Sequence, residues 1–304
     1  MRNAPSKQAK TDRLEGQVVA NYGRRYEVEL ADGKLISCVM RGKKGGVACG
    51  DHVSFTPSGT EQGAIESISP RTSLLYRSDS FHTKIIAANV TQIIIVAAAV
   101  PSFYEDLLNR CLAAAETNHI KALIVLNKCD LSEESKQALK DLQLYRDLGY
   151  EVLQLSAKQD ISPLKPYLKG HTSVLVGQSG MGKSSIINAL LPEARVVTAE
   201  ISEALDSGRH TTTHTRLYHL DEQSHIIDSP GLQEFGLHHL APDEIDHAFI
   251  EFRPYLGRCK FNNCRHVSEP GCALLEALAK GEISQRRLTA YHKLIHAGRT
   301  NSRN

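Results

Sequence analysis

Long apolar runs are missing from this sequence. The longest, Ile93 to Val100, holds only eight residues, whereas a helical bilayer span needs roughly 20. A soluble, cytoplasmic protein without membrane attachment is expected. Met1 to Lys10 is polar throughout, so no secretory signal is expected either. Cysteine is scarce outside one region. Cys38, Cys49, Cys111 and Cys129 are scattered and read as reduced packing residues, not a disulfide framework. Internal repeats are absent. A large net charge is lacking too, but the formal +2 hides an asymmetry. Residues 1–72 carry 11 Lys+Arg against 8 Asp+Glu, residues 73–252 carry 15 against 23, and residues 253–304 carry 10 against 3. Two basic ends around an acidic centre point to a polyanionic partner. A hydrophobic content of 41% over 304 residues supplies two or three cores and excludes global disorder.

What is present centres on Gly177-Gln178-Ser179-Gly180-Met181-Gly182-Lys183-Ser184, which fits the phosphate-binding pattern G-x-x-x-x-G-K-[ST]. Thr172–Val176 before it reads as a buried strand. Ser184–Leu191 after it reads as a helix with Ile186, Ile187 and Leu190 on one face. Glycines let successive backbone N–H groups converge on phosphate oxygens, and the helix N-terminus adds its positive dipole end. Lys183 is expected to reach the β- and γ-phosphates and Ser184 to ligate Mg²⁺, with Ser185 completing the nucleotide-binding set.

Residues 1–15 read as a disordered basic tail. Five short alternating runs follow: Gln17–Ala20, Tyr26–Leu30, Leu35–Val39, His52–Phe55 and Ala64–Ile68, with Asp32-Gly33 as a hairpin signal. They predict a small barrel over 16–72, an OB-fold first and an SH3-like barrel second. Arg24, Arg25, Arg41, Lys43 and Lys44 lie near its turns, as a nucleic-acid-binding rim would have them. From Val90 onward strands alternate with helices, which means a parallel, doubly wound α/β sheet over 73–235.

Two motifs in that sheet read as guanine recognition. Asn127-Lys128-Cys129-Asp130 follows the strand Ala122–Leu126, and Ser156-Ala157-Lys158 follows the strand Glu151–Leu155. Both lie at carboxyl ends of strands, where α/β sheets bind ligands. A carboxylate at Asp130 can accept from N1–H and the 2-amino group of guanine, donors that adenine lacks. Lys128 is expected over the base, Asn127 tying neighbouring loops together, and the Ala157 N–H at O6. After the phosphate loop comes the polar segment Glu200–Thr215, containing Gly208-Arg209-His210-Thr211-Thr212-Thr213. It reads as a switch loop whose Mg²⁺ ligand is Thr212 first and Thr211 second. Asp228-Ser229-Pro230-Gly231 then places Asp228 in the Mg²⁺ shell and the Gly231 N–H near the γ-phosphate.

The order is permuted relative to Ras-type GTPases, because the two guanine motifs precede the phosphate loop. The chain leaving Gly231 therefore runs directly into the C-terminal unit, 236–304, on which nucleotide state is expected to pull. That unit holds Cys259-x₄-Cys264-x-His266-x₅-Cys272, a closed four-ligand set for one structural Zn²⁺. Two helices, Ala273–Lys280 and Ile283–His296, follow, with Arg286, Arg287, Lys293, Arg299 and Arg303 making the region basic.

Taken together, these motifs in this order resemble the RsgA (YjeQ) family of circularly permuted GTPases over about residues 16–296. The resemblance implies an N-terminal OB-fold, binding to small-ribosomal-subunit RNA through both flanking units, GTP hydrolysis stimulated by that subunit late in its assembly, and release afterwards. A monomer is expected. Ras-type enzymes orient the attacking water with a Gln directly after the D-x-x-G glycine. Here Leu232 stands there and Gln233 is one position late, and an apolar residue cannot orient water. The resemblance carries the family's G-R-H-T-T-T histidine onto His210, with Lys183 and Thr212 completing the catalytic set. Some permuted GTPases bind K⁺ through an Asn in the phosphate loop. Gly180 occupies that place, so no K⁺ requirement is expected.

Overall fold

The computed structural model describes residues 13–42, 46–78, 83–192, 214–229, 237 and 240–299, the side chains of 77–78, 83–84 and 297–299 excepted. Five strands open the chain: β1 (Leu14–Asn21), β2 (Arg25–Glu29), β3 (Leu35–Met40), β4 (His52–Pro57) and β5 (Gln62–Ile68). Alternation of apolar and polar residues sends Val18, Val28, Ile36, Cys38, Val53, Phe55 and Ile65 inward to one core. The strands run β1-β2-β3-β5-β4 and close by pairing β4 back onto β1, with β3 and β5 parallel. Closure removes the free edges, and this is the OB-fold barrel.

A hairpin that the sequence pattern did not reveal follows, β6 (Leu74–Ser78) and β7 (Thr83–Ala88). The apolar residues of β7 run almost without break into the next strand. Asn89, Val90 and Thr91 separate the two, and the left-handed backbone of Asn89 (φ 57°) makes the turn. Asn89 also donates to Gly50 O, tying the hairpin to the barrel.

The sheet proper is built from β8 (Gln92–Ala98), β9 (Lys121–Asn127), β10 (Glu151–Gln154), β11 (Thr172–Val176), β12 (Thr215–His219) and β13 (His225–Asp228). Its order is β10-β9-β8-β11-β13-β12, parallel except for β12. Every residue of β8 is buried, as a strand covered on both faces must be. Helices α1 (Glu105–Thr117) and α2 (Ser132–Asp147) cover one face; α3 (Lys165–Leu168) and α4 (Lys183–Leu190) cover the other. β11 sits between β8, which precedes it in the chain, and β13, which follows it. The phosphate loop therefore leaves the sheet at the point where strand order reverses, the usual ligand-binding place of such sheets. β12 also pairs antiparallel with β1 of the barrel, so barrel and GTPase sheet form one continuous run of 11 strands.

The C-terminal unit comprises α5 (Pro242–Ala248), a 3₁₀ turn Ile250–Phe252, α6 (Ala273–Ala279) and α7 (Gln285–Arg299) around Phe249, Phe252, Leu274, Leu288 and Tyr291. It lies against α1. Arg286 pairs with Glu105 (2.8 Å), Lys293 with Asp106 (3.0 Å) and Arg253 with Glu116 (2.6 Å). Arg287, almost fully buried, bonds Glu251 and Asn109. The basicity of this region is thus partly internal. Three of the five cations that marked it in the sequence are paired within the chain, two of them with acidic residues of α1. Among the described residues, no helix is long and apolar enough to cross a membrane.

Candidate nucleotide site and metal centre

The loop from Gly177 to Gly182 curls between β11 and α4 under tight steric limits. A Cβ at Gly177 would collide with Val96 O, and one at Gly182 with the Asn127 side-chain amide. Gly182, the N-cap of α4, also has a left-handed backbone (φ 92°) that a side chain would strain. Behind the loop, Lys183 Nζ donates to the carbonyls of Gly177 (2.5 Å) and Gln178 (2.7 Å). Burial pushes its pKa down, opposed by the nearby Asp228 carboxylate. Asp228, at the end of β13, is pushed up by burial, with the Lys183 charge opposing. A phosphate beside Lys183 and a metal ion beside Asp228 would each favour the charged form of its neighbour. Ser184 and Ser185 stand on the first turn of α4.

Asn127 is the keystone of the base-recognition loops. Its buried side chain donates to Met181 O in the phosphate loop (2.9 Å) and accepts from the Ala157 N–H (3.0 Å). One amide thereby fixes three loops from the ends of β9, β10 and β11. The Ala157 N–H expected at guanine O6 is paired with Asn127 here. Asp130 is exposed beyond them, and the neighbouring Ser156 hydroxyl holds its carboxyl below the usual range, with Lys158 and Lys128 adding smaller effects of the same sign. A fully ionised acceptor is what two guanine N–H donors require. Lys128, in the left-handed region (φ 65°), sends Nζ to Val100 O (2.7 Å).

A second layer escaped sequence reading. The turn after β8 backs the phosphate loop: Tyr104 N donates to the Gln178 side chain, and Pro101 ring carbons lie 3.4 Å from where a Gly180 Cβ would stand. The available signal was positional, since this turn leaves the carboxyl end of the strand adjoining β11. His210, Thr211, Thr212, Gly231, Leu232 and Gln233 lie outside the described residues.

The second cluster lies in the C-terminal unit. Ligand atoms of Cys259, Cys264, His266 and Cys272 all fall within 4.8 Å of one another. Cys259 Sγ is 3.6 Å from His266 Nδ1 and 4.0 Å from Cys272 Sγ, which is 3.3 Å from that Nδ1. A tetrahedral Zn²⁺ with ordinary bond lengths demands edges of roughly 3.5–3.8 Å, so the donor set and its dimensions fit zinc. Three backbone N–H groups, of Arg265, Val267 and Ser268, donate to the Glu269 carboxylate and fold the loop that presents His266. They hold its pKa down at about 2. His266 Nδ1 faces the sulfurs, and its own carbonyl is bonded by His292 of α7. Chelation is expected to release about one zinc per chain and to unfold residues 255–299 ahead of the rest. Hydrogen exchange would show this as early loss of protection there; unchanged protection after metal removal would rule out a structural ion.

Comparison with known proteins agrees in both sequence and fold. A family model described as RsgA GTPase matches residues 68–238. The small ribosomal subunit biogenesis GTPase RsgA of Nitrosospira multiformis is 59% identical over 288 residues, covering 95% of this chain and 92% of that protein. Its namesake in Nitrosomonas europaea is 57% identical over 285 residues, covering 93% and 91%. Among solved structures, YjeQ from Thermotoga maritima superposes with a TM-score of 0.72 at 31% identity, covering 94% of this chain and 98% of that one. YloQ, a circularly permuted GTPase, gives 0.70 at 28% identity, covering 97% and 98%.

Proposed function

The chain belongs to the RsgA GTPase family, and we propose that it hydrolyses GTP while bound to the small ribosomal subunit late in that particle's assembly. The carrying observation is the Asn127 side chain, which locks the phosphate loop and the Ser156–Lys158 loop into one frame with Asp130 at its rim. This frame supports a reading in which Asp130 recognises guanine and Lys183 meets the phosphates.

In this reading the backbone N–H groups of Gly177–Ser185 cradle the phosphates, and Lys183 exchanges its carbonyl partners for phosphate oxygens. Ser184 and Asp228 offer the hard oxygen donors that suit Mg²⁺, as does Thr212. When bound, Mg²⁺ neutralises charge developing on the transferring phosphoryl group. The Gly231 N–H meets the γ-phosphate, and His210 orients the attacking water. The barrel and the zinc-holding unit bind subunit rRNA, the subunit stimulates turnover, and the protein leaves as the GDP form. It acts as a monomer in the cytoplasm.

The test is GTP hydrolysis with and without purified small subunits, large subunits serving as control. Stimulation by small subunits alone is expected. His210→Ala is expected to bind GTP normally and to lose most of that stimulation, about 10²-fold or more if general positioning of water is lost. Tight GTP binding without stimulated turnover in the unmodified chain would point to a non-catalytic binding switch, and wild-type turnover in the variant would remove His210 from the reaction.

A further inference from the structure

Gln178 stands at a junction within the phosphate loop. Its carbonyl oxygen accepts from Lys183 Nζ (2.7 Å), and its side-chain oxygen accepts from the Tyr104 N–H. Tyr104 is the N-cap of α1. Its own carbonyl begins the helix ladder, accepting from the N–H groups of Leu107 (3.1 Å) and Leu108 (3.2 Å). A shift of Tyr104 is therefore a shift of the first turn of α1. The turn that delivers Tyr104 is held from the base-recognition side as well, where Lys128 Nζ donates to Val100 O (2.7 Å).

The first turn of α1 in turn touches the C-terminal unit. Glu105 pairs with Arg286 at 2.8 Å and Asp106 with Lys293 at 3.0 Å, both cations standing on α7. From Lys183 to α7, each step is thus a contact between described residues: Lys183 to Gln178, Gln178 to Tyr104, and the two neighbours of Tyr104 to Arg286 and Lys293. None of these steps uses the chain that leaves Gly231.

We propose that Gln178 is a positioning residue that relays phosphate occupancy at Lys183 to α1, and through α1 to α7. The inference rests on the reading above, in which Lys183 exchanges carbonyl partners for phosphate oxygens. That exchange gives the loop two discrete arrangements, which is what coupling between separate sites requires. In one, Lys183 holds the Gln178 carbonyl while the side chain holds α1. In the other, the carbonyl is released and the hold on Tyr104 changes with it. Coupling is reciprocal, so the docking of α7 on α1 feeds back on nucleotide affinity.

The experiment follows hydrogen exchange of residues 285–296 with and without saturating GDP and Mg²⁺ in the full chain. Without substitution, GDP is expected to change exchange there by a factor of about 2–12, the factor that one net hydrogen bond corresponds to. Gln178→Ala removes the acceptor and Tyr104→Pro removes the donor, so each is expected to abolish the response. The two variants break one bond from opposite sides, and either suffices if the other does not fold. Tyr104→Ala keeps the N–H and is expected to keep the response. A merely structural bond would alter exchange equally with and without GDP. As a second readout, Arg286→Ala combined with Lys293→Ala is expected to change GDP affinity by the same factor, and to leave it untouched when Gln178→Ala is already present. No GDP response at α7 in the unmodified chain, or a response that survives in either Gln178→Ala or Tyr104→Pro, would overturn the proposal. Failure of the unmodified chain to bind guanine nucleotide would instead defeat the nucleotide-site reading, and the relay with it.

Discussion

Asp130→Asn lowers affinity for GTP by about 10²–10⁴-fold, the expected loss when two charge-assisted hydrogen bonds to one carboxylate go. In the proposed site the carboxylate would accept from two guanine donors, and the neighbouring Ser156 hydroxyl favours its ionised form. An Asn presents an NH₂ group where an acceptor is needed, so one charge-assisted bond becomes a donor–donor clash and the other loses its charge. Xanthine replaces the 2-amino group with a carbonyl and satisfies that NH₂. The variant is therefore expected to prefer xanthosine triphosphate. Because Asp130 is exposed and outside every core, the melting temperature should not move. Competition of unlabelled nucleotides against a fluorescent guanine nucleotide reads the switch. A variant that still favours guanine over xanthine would deny Asp130 its role.

Arg287→Met is expected to destabilise the protein by about 3–5 kcal/mol, the penalty for leaving a buried ionic partner unpaired. The guanidinium is 1% exposed. It holds Glu251 through Nε (2.5 Å) and Nη2 (3.2 Å), and also bonds Asn109 Oδ1. It lies 4.3 Å from the Phe249 ring centroid and 5.8 Å from that of Tyr145. Tyr145 in turn donates to Glu105 (2.9 Å) and Asn109 (3.2 Å). One cation thus joins α7, the 3₁₀ turn, α1 and α2. Removing it strands Glu251 in the interface between the GTPase sheet's helices and the C-terminal unit. Adding Glu251→Gln to Arg287→Met should recover part of the loss, since no charge then remains buried. Denaturant titration of both variants tests this, and a loss below about 1 kcal/mol for the single change would mean that Arg287 is not the fastener.

How legible these features were depends on the range of the interaction behind them. The five barrel strands are local alternation, so each was placed from sequence, with ends off by a few residues. The nucleotide motifs were legible because backbone chemistry dictates their residue types. Gly182 leaves no room beside Asn127, and Asn127 must be an amide to donate to one loop and accept from another. Arg287 was not legible. In the sequence it is one cation in a basic stretch beside Arg286 and Lys293, and the stretch reads as a face for a polyanion. Only the fold brings Glu105, Asp106 and Glu251 opposite those three. The hairpin β6–β7 was missed because only Asn89, Val90 and Thr91 separate its second strand from β8, and one left-handed residue leaves little trace in a largely apolar run. The β1–β12 pairing, which joins Ala20 to Arg216 and Asn21 to Thr215, has no local signature at all.

The position of β11 has a consequence for how the chain is made. β8, β9 and β10 emerge from the ribosome first, and β11, the strand that covers the inner edge of β8, ends 78 residues after β8 does. At about 5–20 residues per second, synthesis leaves that edge unpaired for about 4–16 s. During this interval a strand that is apolar apart from Gln92 offers its hydrogen-bonding edge to any passing chain. The half that carries the proposed guanine-reading loops is assembled before the half that carries the proposed phosphate loop exists. Nascent chains stalled between residues 130 and 170 should therefore be the ones most readily captured by chaperones.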